Sequence, residues 1–223
     1  MRKITLIIMF FFLSLTLNAQ QFNLEFGKVL SSFEYKNSEG EGLDNLRGTT
    51  NNHIEIGFRM PIRKTQAYFT SGVSYNKYGA TGSDNAVGNY YEWNVNYVGV
   101  NIGVGYEFFK SSSFLNLQNV NTDQGFTFFV QLSGASDFLV QGTQTINDDV
   151  YDLIGVEQFD KPFIFAYGGI GVAYYATKTF SVYAKYLGGM SFPVFKTEGD
   201  NEELYYITHT ICLGVSISLP AKR

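Results

Sequence analysis

The chain has 223 residues, and its 16 Lys and Arg against 20 Asp and Glu give a formal net charge of −4. That balance argues against nucleic-acid binding, which needs a basic stripe for the phosphates, and the single cysteine, Cys212, rules out an intramolecular disulfide framework. Aromatic residues make up 17% and charged residues only 16%, against about 25% charged in an ordinary globular domain; with 23 glycines the mixture suits a transmembrane barrel.

In chain order, the first feature is a basic pair, Arg2 and Lys3, followed by an apolar run over 4–17 and the small residue Ala19. The run is shorter than the ~20 residues of a spanning helix. It predicts a secretory signal peptide over 1–19, cut after Ala19, and one domain over 20–223. Cleavage removes two basic residues and no acidic one, so the mature chain is more acidic still. No later apolar run is long enough for a membrane helix.

Eight segments then alternate with period two: 22–35, 53–60, 67–78, 91–109, 126–139, 162–176, 180–190 and 204–219. The first sets Phe22, Leu24 and Phe26 against Asn23, Glu25 and Gly27, and blurs after Lys28. The fourth sets Val98, Val100, Ile102, Val104 and Tyr106 against Gly99, Asn101, Gly103, Gly105 and Glu107. The sixth is apolar on both faces at its start. The last sets Ile211, Leu213, Val215, Ile217 and Leu219 against Thr210, Cys212, Gly214, Ser216 and Ser218. A soluble barrel keeps its apolar list inside and wets its exterior with Lys and Glu. Here the other list is Gly, Ser, Asn, Thr and Ala, which suits a crowded interior. The apolar list must then face outward, where only lipid covers it. An open sheet edge in hydrocarbon leaves backbone groups unpaired at several kcal/mol each. The expected fold is therefore all-β: an eight-stranded antiparallel up-and-down transmembrane β-barrel.

Four features carry a family resemblance: the leader ending "NAQ", the central "NYVGVNIGVGYEFF" (96–109), the later "YGGIGVAYYATKTFSVYAKY" (167–186), and a last strand ending Gly214-x-x-Ile217-x-Leu219. In these the chain resembles the small outer-membrane β-barrel family of Bacteroidetes (OMP β-barrel, PorT-like), and in architecture the eight-stranded OmpA/OmpX-type barrels. It departs from the pattern in ending "PAKR" rather than in an aromatic residue, and in having Tyr97-Val98-Gly99 where the central strand motif usually carries a proline. The resemblance implies an outer-membrane location, insertion by the outer-membrane assembly machinery through the last strand, and membership of an export, motility or uptake assembly.

An exported N-terminus and an even strand count place both mature termini in the periplasm. The turns 61–66 and 177–179 and the longer 110–124 then lie inside, and 36–52, 79–90, 140–161 and 191–203 lie outside. The outer loops are acidic. The plain reading is a hydrated surface; the sharper one is divalent-cation binding, with Asp148, Asp149, Asp152, Asp200, Glu202 and Glu203 as candidate ligands. Inside the barrel fall Glu25, Glu55, Arg59, Glu107 and Lys185, with His53 near a rim. Buried charges need partners: Glu55 can answer Arg59, and Glu107 or Glu25 can answer Lys185. Eight strands leave an interior that side chains just fill, which favours a plug over an ion path. His53 and His209 have no nucleophile at a recognised spacing, and "GGIG" (168–171) lacks the Lys and Ser/Thr of a phosphate loop. No catalytic residue and no cofactor is expected. The expected function is an integral outer-membrane barrel with a structural or partner-binding role; a narrow channel and a lipid-modifying enzyme are the alternatives. Its partners are outer-membrane lipid, the insertion machinery, and a protein docking on 110–124 through Phe114, Leu115, Leu117 and Val120.

Overall fold

The computed structural model describes residues 21–36, 45–62, 65–83, 89–111, 125–193 and 203–219. The predicted leader, most of 110–124 and Lys222 and Arg223 of the tail lie outside the described residues. The elements are β1 (Gln21–Lys36), β2 (Arg47–Pro61), β3 (Ala67–Ser83), β4 (Tyr90–Ser111), β5 (Gly125–Ile146), β6 (Asp149–Asp152), a helical turn α1 (Glu157–Asp160), β7 (Phe163–Tyr175), β8 (Phe180–Pro193) and β9 (Glu203–Ser218). All strand pairs are antiparallel. Eight strands close a ring, β1-β2-β3-β4-β5-β7-β8-β9 and back to β1, and β6 adds a short ninth strand folded back on the end of β5. The eight-stranded up-and-down barrel expected from the sequence is the observed fold.

Closure brings a stagger. Following paired residues from Gln21 through Arg59, Thr70, Gly103, Ser133, Tyr167, Gly189 and Thr208 returns to β1 at Ser31, ten residues along. With eight strands this stagger tilts them about 40° to the barrel axis. The tilt decides which inward side chains share a level, and it carries residues far apart along the hydrogen-bonded rows to the same height.

The alternation read from the sequence holds in the half of the barrel near Gln21 and Ser218. Val100, Ile102, Val104, Ile211, Leu213, Ile217 and Leu219 are exposed on the exterior, and Val98 and Val215 share that face half-buried. Their alternates, among them Gly99, Asn101, Gly105, Thr210, Cys212, Gly214 and Ser216, are buried. Phe26, Ile56, Val73, Leu132, Ile170 and Tyr186 extend the exposed apolar surface around the ring.

Toward the other end the pattern inverts. The inward residues of β4 become Tyr91, Trp93, Val95 and Tyr97, and the outward ones Glu92, Asn94 and Asn96; on β3, Tyr78 and Ala80 turn inward and Lys77 and Thr81 outward. Here the barrel is built like a soluble one. The strands consequently run further than the lipid-type alternation predicts: β2 starts at Arg47 rather than His53, β3 ends at Ser83 rather than Tyr78, and β5 ends at Ile146 rather than Leu139. The blur after Lys28 is the same inversion, since Val29 and Phe33 point inward. The doubly apolar start of the sixth segment has Phe163 and Phe165 inside and Ile164 outside.

The region 140–161, expected as a loop, is structured. After a β-bulge at Val140, whose neighbours Leu139 and Gln141 pair with Tyr97 and Asn96, β5 continues into a hairpin with β6. The two-residue turn places Asn147 at φ 56°, a left-handed conformation that Asn tolerates. Leu153 and Phe159 then fold inward and are buried.

Candidate functional site in the barrel lumen

The inward residues stack in tiers. Nearest the termini, the Arg59 guanidinium donates to Glu107 Oε1, which also accepts from the Tyr175 hydroxyl. The guanidinium lies 3.4 Å from the Tyr68 ring centroid, a cation–π arrangement. In the next tier the Lys185 ammonium is 2.7 Å from Glu25 Oε2 and donates to Oε1 at 2.8 Å, and the Tyr183 hydroxyl donates to Oε1 at 2.7 Å. Lys185 and Glu25 keep only 3% and 5% of their side-chain surface. Glu55 is the direct cross-strand partner of Glu25.

Above them, His53 Nδ1 lies 2.6 Å from Asn76 Oδ1. Asn76 Nδ2 donates to Asp137 Oδ2 at 3.2 Å, and the Tyr78 hydroxyl donates to the same oxygen at 2.8 Å. The mouth beyond is closed by aromatic side chains. Tyr206 meets Phe33 and Phe163 with ring centroids 4.6 and 4.8 Å apart, and its hydroxyl is 3.2 Å from that of Tyr97. The Tyr97 hydroxyl donates to the Phe159 carbonyl at 3.2 Å, fastening the segment around α1 over the opening.

All five charges expected in the lumen point into it. Their pairing is more specific than the sequence implied. Arg59 answers Glu107, not Glu55, because the two share the terminal tier; Lys185 answers Glu25, because the tilt sets β8 and β1 side chains level. His53, expected near a rim, is buried at 6% exposure well inside the barrel, since β1 and β2 continue past it. Cys212 is inward and buried, and His209 is exposed on the exterior, where its Nδ1 lies 2.6 Å from the Tyr186 hydroxyl.

The acidic candidates among the described residues do not converge. Asp148 sits in the hairpin turn, and Asp149 and Asp152 are exposed and three residues apart on β6, hence on opposite faces. Asp152 is engaged locally, accepting from the Ile154 amide at 2.9 Å. Asp200, Glu202 and the Glu203 side chain lie outside the described residues, as do Phe114, Leu115, Leu117 and Val120. Asp137, Asn76, Tyr78 and Tyr167, whose hydroxyl lies 3.3 Å from that of Tyr78, were missed by the sequence reading. A buried acid on the inward parity of β5, in phase with Gln131 and Ser133, was the signal that could have found them.

No protein-family model matches the chain, and no curated protein matches its sequence. Solved structures do match in shape. The outer membrane protein OprG from Pseudomonas aeruginosa is 10% identical with a TM-score of 0.50, covering 92% of this chain and 98% of that one. Neisserial surface protein A is 10% identical with a TM-score of 0.47, covering 89% and 97%. The outer membrane protease OmpT from Escherichia coli is 8% identical with a TM-score of 0.40, covering 90% and 97%. Ring closure, antiparallel order and the likeness to OprG agree that this chain has the fold of a small outer-membrane β-barrel.

Proposed function

We propose that the protein is an integral outer-membrane β-barrel with a structural or partner-binding role and a lumen closed to solutes. The observation that carries this reading is the two-sided construction. An apolar exterior runs around the barrel, and the interior is occupied by paired charges, hydrogen-bonded polar groups and an aromatic plug. Water cannot favourably cover a continuous exterior band of Phe, Ile, Leu and Val, whereas bilayer hydrocarbon can. Among the described residues, the paired charges and the aromatic cluster occupy the lumen tier by tier, an arrangement that favours a plug over a channel. The sequence resemblance to the PorT-like barrels of Bacteroidetes supports the same reading, and so does the leader over 1–19, which would export the chain and set both termini in the periplasm. The inverted end, with polar residues outside, then stands above the membrane, and the β5–β6 hairpin and α1 form its exposed cap. A protein partner would meet the barrel there or on the 110–124 connection.

The test joins two measurements on the full chain folded into lipid. A band that migrates differently before and after boiling reports the closed barrel, and planar-bilayer recordings of the same preparation report the lumen. A heat-modifiable band without steady conductance is expected. Reproducible unitary conductance would refute the plug, and a chain that stays soluble and monomeric without detergent would refute membrane residence.

A further inference from the structure

Glu25, His53 and Cys212 stand out in the lumen. One ligand atom from each lies within 4.8 Å of the others, all three residues are buried, and among the described residues no other such set of three is found. They come from β1, β2 and β9. His53 and Cys212 both pair with Gly27, from opposite sides. A Cβ on Gly27 would come within 2.9 Å of the Cys212 sulfur, so glycine leaves open the space across which the two side chains face.

The hydrogen bonds around His53 fix its tautomer. Asn76 turns its Nδ2 to the Asp137 carboxylate, so its Oδ1 faces His53, and Nδ1 must carry the proton. In the neutral ring Nε2 then carries the lone pair. It is buried and has no hydrogen-bond partner, and Glu55 Oε2 lies 4.0 Å from it. Glu25 is already answered: Oε1 accepts from Tyr183 and Lys185, and Oε2 lies 2.7 Å from the same ammonium. Lys185 thus balances one of the two carboxylates that meet here, Glu25 and Glu55, and a second cation at His53 Nε2 would balance the other. An imidazole held through its other nitrogen by an oriented acceptor is also the arrangement that ligating histidines use.

We infer that Glu25, His53 and Cys212 bind a divalent metal of zinc type, with Glu55 beside them as a fourth donor, across the β1–β9 seam that closes the barrel. One carboxylate, one imidazole and one thiolate form a mixed O, N, S set that zinc accepts. The charge closes as well: Glu25, Glu55 and a Cys212 thiolate balance Lys185 and a divalent ion. On binding, the thiol proton leaves to solvent. Tetrahedral zinc spaces its ligands roughly 3.3–3.7 Å apart, so the ligand atoms of Glu25, His53 and Cys212, which lie within 4.8 Å of one another, need draw in by about an ångström. Because the ion ties the first strand to the last, it acts as a staple.

The experiment uses the full chain folded in detergent, with boiling-gel migration as the check on folding. The chain is folded with and without micromolar free zinc, or with cobalt(II) in place of zinc, so that the ion need not cross the filled lumen, and bound metal is measured after excess is removed. One equivalent of zinc and a thiolate-to-cobalt charge-transfer band are expected in the wild type, with zinc raising the temperature at which the folded band is lost. Cys212→Ser should abolish the band and the thermal gain, His53→Gln the stoichiometric binding, and Asn76→Ala should weaken binding about 10–100-fold. A folded wild-type barrel that takes up no zinc overturns the inference, as does equal uptake by Cys212→Ser. The readout is the metal, so failure here leaves membrane residence and the closed lumen standing.

Discussion

Placing one charge at two heights on β9 tests whether its exterior touches lipid. Leu213 is 68% exposed and lies midway along the exterior row from Ile207 to Leu219, the latter 50% exposed. A strand rising ~3.3 Å per residue and tilted ~40° advances about 2.5 Å per residue along the axis. The six residue steps from one to the other thus correspond to about 15 Å. An apolar band is about 25 Å tall, so with Leu213 at its centre Leu219 sits at or just past its edge. Arginine at the bilayer midplane costs about 2–4 kcal/mol, falling to about 0–1 near the interface. Leu213→Arg should therefore lose ~2–3 kcal/mol more stability than Leu219→Arg. Denaturant unfolding from phospholipid vesicles measures the difference, and the single tryptophan, Trp93, buried in the lumen, reports it by fluorescence. In water both changes would stay within about 0.5 kcal/mol of neutral, as exposed substitutions usually do. Two small and equal losses would refute the lipid-facing assignment.

Two further outcomes follow from the interior. Lys185→Met strands Glu25 in the lumen and should cost about 3–5 kcal/mol in the same unfolding assay; adding Glu25→Leu should recover much of it, and a double variant no better than the single one would contradict the pairing. Tyr206→Ala removes the ring at the centre of the aromatic plug and should cost about 3–5 kcal/mol, whereas Tyr206→Phe, which gives up only the contact with the Tyr97 hydroxyl, should cost about 1 kcal/mol. Equal losses would place the contribution in the hydroxyl rather than the ring.

Much of this barrel was legible in the sequence because a strand's period of two is local. Val98 to Val104 and Ile211 to Leu219 announce their outward face with no knowledge of their neighbours, and the Gly, Ser and Asn between them announce a crowded interior. Strand number, antiparallel order and the inward set Glu25, Glu55, Arg59, Glu107 and Lys185 follow from that alternation alone. It failed where the solvent logic changes. Past Lys28 and Lys77, and before Val98, the apolar residues move inside and the polar ones outside, so a template written for lipid ended the strands early and left the segment that buries Leu153 and Phe159 as a loop.

What no local pattern contains is the level at which each inward side chain meets the others. That depends on closure and on the ten-residue stagger, which together set Lys185 beside Glu25, Arg59 beside Glu107, and Cys212 across Gly27 from His53. The sequence by itself determined which residues face in. Only the closed, tilted ring decided which of them face each other, because partners 160 positions apart in the chain become neighbours only after the first strand has paired with the last.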